Sequence, residues 1–194
     1  MNLASLDRNQ LESILLDPPV LEPEPLRCSD QTAVAYLPER TGERATRIRH
    51  VLAAAHEILV RVAAQALVGR TLFDSMSAVK DFLKILFAGA ERETFVVIFL
   101  DSLHRVICSE EMFAGTVNHT SVHPREVVKR AMHLNAAAII CAHSHPSGSS
   151  LASRSDEMLT QQLKSALALV DVRLIDHYIV AGSFCNSFAE RGML

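Results

Sequence analysis

The stretch Ala136-Ala137-Ala138-Ile139-Ile140-Cys141-Ala142-His143-Ser144-His145-Pro146-Ser147-Gly148 decides the fold. It opens as a run of small and branched apolar residues, which suits a strand buried on both faces. Side chains two apart on a strand share a face, so His143 and His145 point the same way and Ser144 points into the opposite layer. Pro146 has no N–H to extend a ladder, so the strand stops there and enters a Pro/Gly/Ser loop. Beyond the loop Ser153 is placed to cap a helix. Asp156 then falls at the third helical position, where its charge suits the helix dipole and its side chain can turn back toward the loop. Two neutral imidazoles and one carboxylate at ~2.0–2.2 Å from Zn²⁺ leave one position for water, which a catalytic zinc needs and a structural zinc avoids. His143, His145 and Asp156 are therefore the candidate metal ligands. Cys141 shares their strand face one step deeper and reads as a small buried hydrophobe, not a ligand.

Working outward, Thr94 to Leu100 is β-branched, aromatic and almost wholly apolar, and reads as a central strand. Asp101-Ser102 is a turn, His104 to Ser109 a return strand, and Met112 to Val117 a third. Pro124 suits the first position of a helix continuing to about Leu134. Ser153 to Val170 reads as a helix and Arg173 to Ala181 as the final main strand. Upstream, Ile48, Val51, Leu52, Ala55, Leu59 and Val62 recur at helical spacing between Ala45 and Gly69, and Ser75 to Phe87 forms a further helix capped by Ser75 or Ser77. Leu6 to Leu16 is a short helix, and Asp17 to Arg40 is an extended stretch punctuated by Pro18, Pro19, Pro23, Pro25 and Pro38. The pattern is an α/β sheet flanked by helices. It divides into a Pro-rich N-terminal extension (1–48), a linking helix (49–74) and the main domain (75–194).

The 194 residues fit one domain with extras, and a hydrophobic fraction of 49 % supports a substantial core. A net charge of −3 gives no global pull toward nucleic acid. Met1 to Gln10 does not resemble a signal peptide, and runs such as Phe95 to Leu100 are too short to span a bilayer. The four cysteines, Cys28, Cys108, Cys141 and Cys185, form no CxxC pair and read as reduced thiols. A soluble cytoplasmic protein without a membrane partner is expected. Oligomeric state is open.

A metal-activated water needs a base. Glu91 and Glu93 both stand at the entry to the first strand, and composition does not choose between them.

The spacing His143-x-His145, then Ser153 and Asp156, resembles the JAMM motif of MPN-domain metallopeptidases. Glu93-Thr94-Phe95 to Leu100-Asp101, Gly115-Thr116, Val122-His123-Pro124-Arg125-Glu126-Val127, Asn135-Ala136-Ala137, His145-Pro146-Ser147-Gly148 and Asp176-His177 resemble the RadC family of bacteria, over about residues 75 to 194. The resemblance implies an MPN/JAMM, cytidine-deaminase-like central mixed sheet flanked by helices, here with a helical N-terminal extension. It implies one Zn²⁺ held by His143, His145 and Asp156. Glu93 maps to the general base, with Glu91 in reserve, and Ser153 to the serine that steadies the oxyanion. The chain departs from the family in carrying Ser144 where Asn is usual and Ala152 where Pro is frequent. Residues 1–48 do not clearly show the Gly-containing helix-hairpin-helix pattern that longer members carry ahead of this domain.

The leading expectation is a zinc-dependent hydrolase of an amide bond in a peptide or protein, peptide or isopeptide. The alternative is a DNA-associated repair or mobile-element accessory protein. Arg125, Lys129 and Arg130 on one helix are its candidate contacts, against a solvated helix face. A third reading, a non-catalytic scaffold, is at odds with the complete ligand set. His123 could cap the helix at Pro124. His177 could face the site or pair with Asp176. His50, His56, His104, His119 and His133 have no constellation.

Overall fold

The computed structural model describes residues 3–16, 37–71, 76–115 and 122–194. Residues 17–36 of the Pro-punctuated stretch, the candidate cap Ser75, His119, and the end of the expected strand at Val117 lie outside them. The chain forms two compact units, Met1–Val62 and Ala63–Leu194. Among the described residues no helix is long and apolar enough to cross a membrane.

In the first unit, a 3₁₀ turn at Leu3–Ser5 precedes α1, Arg8–Leu16. This helix starts two residues later than its apolar pattern suggests, because Asp7 and Gln10 cap it. The Gln10 N–H donates to Asp7 Oδ1 and the Asp7 N–H to Gln10 Oε1. The long helix α2, Leu37–Leu67, carries on into the second unit. It begins well before the expected Ala45. Pro38 lies in its first turn, where a missing N–H leaves no helical bond unmade, so this proline opens the helix instead of extending a linker. Gly69, at φ +76°, follows its end.

The second unit is built on a mixed five-stranded sheet in the order β2-β1-β3-β4-β5. Its strands are β1 (Thr94–Leu100), β2 (Val106–Ala114), β3 (Ala138–Ser144), β4 (Arg173–Ala181) and β5 (Phe184–Ser187). β1 pairs antiparallel with β2 and β3, β3 runs parallel to β4, and β4 turns back antiparallel into β5. The helices α3 (Met76–Leu86), α4 (Pro124–His133) and α5 (Arg154–Ala168) complete it. β3 is buried along its whole length, as its apolar run requires. On one face Phe95, Val97, Phe99, Ile139 and Cys141 pack with Val127 and Ala131 of α4 and Leu163 and Leu167 of α5. On α3, Lys80 Nζ lies 6.0 Å from the ring centre of Tyr178 in β4.

Two expectations for the strands change. The strands expected to be separate, one up to Ser109 and one from Met112, are a single strand, β2, over Val106–Ala114. Phe95 pairs with Phe113 and Val96 with Glu111, so Met112 is an extra residue in a bulge and the ladder continues past it. The charges of Glu110 and Glu111 interrupt the apolar pattern without ending the strand, because β2 is a sheet edge. The edge strand β5 is additional. It is only four residues long, joined to β4 by a two-residue turn with Gly182 at φ +57°.

Candidate metal centre

β3 and β4 are parallel, so their carboxyl ends lie at the same border of the sheet, where open α/β sheets present ligand sites. His143 stands on the last turn of the β3 pleat. His145 follows it, with its N–H still bonded to the Val180 carbonyl at 2.8 Å. α5, the crossover from β3 to β4, starts at the same border. Ser153 is its N-cap and Asp156 its third residue, joined in a capping box.

Ligating atoms of His143, His145 and Asp156 all lie within 4.8 Å of one another, and among the described residues they form the one such group. His143 Nε2 is 2.9 Å from His145 Nε2 and 3.2 Å from Asp156 Oδ1, and His145 Nε2 is 3.6 Å from Asp156 Oδ2. Ligands held tetrahedrally at ~2.05 Å from a zinc ion stand about 3.3 Å apart, so the three atoms already have the spacing of a shared cation. Each is also held from behind. The His145 Nδ1–H donates to the Ser149 carbonyl at 2.8 Å. His143 Nδ1 is 2.9 Å from His177 Nε2. Asp156 Oδ2 accepts from the backbone N–H and the hydroxyl of Ser153, each at 2.7 Å. Burial works to raise the pKa of Asp156, but the hydrogen bond and charge of His143 and the Ser153 donors outweigh it. They hold the carboxyl well below the usual range, as an anion.

Cys141 is fully buried, and burial first, then the charge of Asp176, pushes its thiol far up. It is not in the metal-spaced group. Glu93 immediately precedes β1. Phe95 pairs with His143, so carrying that antiparallel register two residues further sets Glu93 across from His145. Its backbone is pinned on every side. The Glu93 carbonyl accepts from the Gly115 N–H at 2.8 Å. The buried Ser144 hydroxyl accepts from the Thr94 N–H at 3.0 Å and donates to the Arg92 carbonyl at 3.2 Å. Glu91 is exposed, further from the strand. Ser153 lies against Asp156, its hydroxyl directed to that carboxylate.

Two participants, Thr160 and Asn186, escape a reading of the sequence, and for a third, His177, the sequence left two roles open. His177 faces the site, beneath His143, and burial first, then the charge His143 would carry, pushes its pKa well down, so it is neutral. Its neighbour Asp176 holds the chain elsewhere, accepting from the backbone N–H groups of His177 and Ala189 and from the Ser187 hydroxyl. Thr160 sits on α5 with its Oγ1 2.7 Å from His177 Nδ1 and 2.6 Å from the Asp156 carbonyl. Asn186 of β5 donates to the Ser150 carbonyl at 2.6 Å and so tethers the loop whose next carbonyl upstream orients His145. The available signal was Asp176-His177, a polar pair inside an otherwise apolar strand, which folding tolerates only with partners. His123 takes the N-cap position of α4 but makes no capping bond with its side chain. Its ring meets Phe113 edge-on instead.

A mixed sheet flanked by helices, with a two-histidine, one-aspartate group at the carboxyl end of a central strand, defines an α/β domain of the JAB/MPN type. Comparison with known proteins narrows this, since the RadC-like JAB domain matches residues 73–193. A UPF0758 protein of Methylibium petroleiphilum is 56 % identical over 146 residues, covering 75 % of this chain and 66 % of its own length. One of Leptothrix cholodnii is 51 % identical over 146 residues, with the same coverage. One of Acidovorax ebreus is 46 % identical over 194 residues, covering 95 % of this chain and 82 % of that protein. The chain thus spans a little under two thirds of the length of the first two relatives. The chain belongs to the RadC-like JAB domain family.

Proposed function

We propose that the chain is a zinc-dependent hydrolase of an amide bond, peptide or isopeptide, with residues 75–194 as the catalytic domain. One observation carries this reading. Three candidate ligand atoms converge at cation spacing while His145 and Asp156 are each held from behind by backbone groups. Two imidazoles and one carboxylate gathered in this way are a donor set that suits a shared divalent cation. His143, His145 and Asp156 would hold the ion. When bound, Zn²⁺ supplies Lewis acidity that brings the ionisation of water near neutral pH and polarises a carbonyl.

The chain's own residues supply the rest. The Glu93 carboxylate takes one proton from the attacking water and delivers it to the leaving amine nitrogen as the C–N bond breaks. Ser144 fixes the backbone on both sides of Glu93, which limits where that carboxylate can swing. The Ser153 hydroxyl turns from Asp156 toward the oxygen on which charge develops. Unpaired thiols at Cys108, Cys141 and Cys185 suit a reducing compartment, the cytoplasm.

The DNA-accessory alternative draws little from α4. Arg130 is engaged by Glu110, at 2.7 and 2.5 Å, and Arg125 lies 3.2 Å from Glu126, so two of the three candidate contacts already face carboxylates. The test is elemental analysis of the wild type and His145→Ala, followed by a peptide and isopeptide cleavage screen with Glu93→Gln as control. About one zinc per chain in the wild type, little in His145→Ala, and cleavage lost with zinc retained in Glu93→Gln are expected. Equal, negligible zinc in wild type and variant removes the proposal.

A further inference from the structure

We propose that Thr160 and His177 form a one-way hydrogen-bond chain that fixes the tautomer of His143, so that His177 is a positioning residue for the metal ligand. The inference rests on the metal-site reading above. Its direction follows from one group that cannot donate. The Asp156 backbone carbonyl only accepts, so the Thr160 hydroxyl, 2.6 Å away, places its single proton there. Thr160 Oγ1 must then accept at its other contact, 2.7 Å from His177, which puts the His177 proton on Nδ1. Shut away from water, with an imidazole and a hydroxyl as the partners of its two nitrogens, the ring is neutral and has only one proton, so His177 Nε2 carries a lone pair. That lone pair accepts from His143 Nδ1 at 2.9 Å, and the Nε2 of His143 is left free to face His145 and Asp156.

Reversing the chain would abolish the site. A proton on His177 Nε2 donates to His143 Nδ1, and the His143 proton then stands on Nε2, pointing at the other two ligands. His145 needs no such relay, because the Ser149 carbonyl fixes its tautomer directly. At His143 Nδ1 the partner is His177 Nε2, and the same polarity reaches it through two side chains. The ring that carries it is sealed in. His177 has no exposed surface, Phe188 stacks on it at 4.9 Å and Phe95 meets it edge-on at 5.7 Å between ring centres. Water therefore has no access to exchange partners with either nitrogen. Both ends of the chain meet on α5, since Asp156 supplies a carboxylate to the site and a carbonyl to Thr160. Ligands of metal ions are commonly oriented in this way by a carboxylate or carbonyl, and loss of such partners costs about 10–100-fold in affinity.

The experiment is long-range ¹H–¹⁵N correlation on zinc-loaded, ¹⁵N-histidine-labelled protein, with zinc affinity measured by chelator competition. The expected spectrum shows His177 protonated at Nδ1 and bare at Nε2, and His143 protonated at Nδ1. Thr160→Ser keeps the wild-type affinity, whereas Thr160→Val and His177→Phe weaken it about 10–100-fold. Zinc bound with His177 protonated at Nε2 overturns the relay and leaves the metal site standing. Folded Thr160→Val and His177→Phe with wild-type affinity overturn it too, as does a Thr160→Ser as weak as the valine variant. A wild type that takes up no zinc removes this inference together with the metal reading. If the two apolar variants do not fold, the wild-type spectrum and Thr160→Ser decide alone.

Discussion

His143 and His145 are near neighbours on one strand face, yet they are held by different means, and single substitutions should separate them. Ser144, between them, reaches the other way and ties down Arg92 and Thr94. Ser144→Ala leaves a half-buried N–H and a carbonyl without that partner, at a cost of about 1 kcal/mol. The expected outcome is lower stability in urea, zinc content unchanged, and kcat reduced because Glu93 is less firmly placed. A second test concerns Cys185, whose thiol burial pushes up to about 11, the charges of Lys80 and Lys84 opposing. Its thiolate fraction at pH 8 is about 10⁻³, against about a quarter for an ordinary thiol. Alkylation of native protein should therefore be slow at pH 8 and rise about tenfold per pH unit up to about pH 10. The grouping of His143, His145 and Asp156 was legible because strand parity and a helix start place its members from sequence spacing alone. For His177 two roles stayed open, and Thr160 was not legible at all, because their meeting depends on where α5 crosses β4, which no local pattern encodes.

At the scale of elements, α5 does two things with its first turn. The capping box closes the N-terminus of the helix and holds the Asp156 carboxylate beside His143 and His145. Ser153→Ala removes the hydroxyl partner, and a lost N-cap costs about 1 kcal/mol. Thermal unfolding should fall by about 2–4 °C, with weaker zinc binding in the same variant. Ser153→Asp, which restores a capping acceptor, should recover the melting temperature but not the affinity, because it sets a second anion beside Asp156. The buried strands β1 and β3 were legible as apolar runs. The edges were harder. β2 mixes Glu110 and Glu111 with Ile107 and Phe113, and its bulge at Met112 breaks the parity on which strand reading relies. β5 is too short to show any period. The start of α2 was set late because five prolines upstream read as one extended stretch, whereas Pro38 belongs to the helix.

For the whole molecule, the sheet order β2-β1-β3-β4-β5 puts the site's strand at the centre, with the helices α4 and α5 packed over the face on which His143 lies. Leu163 lies wholly inside that packing. Leu163→Ala should destabilise the domain by about 2–5 kcal/mol in equilibrium unfolding, with the zinc ratio per folded chain preserved. Zinc itself should raise the melting temperature, since a ligand at 100 times its Kd adds about 2.7 kcal/mol to the folded state. The His145→Ala variant should show no such rise. The class of fold was legible from alternating helix and strand patterns, but the strand order was not, because pairing partners are far apart in the chain.

The tether from Asn186 to Ser150 spans thirty-six positions of chain. The segment that settles the second imidazole is thus held by a hairpin far along the chain, a contact that waits on the closing of a long loop. Ion capture should accordingly lag behind collapse when denatured protein is diluted into buffer. A fluorescent zinc indicator would then mark the closing step of refolding, lose signal only when the last turn has formed, and stay bright in Asn186→Ala for longer than in the native sequence.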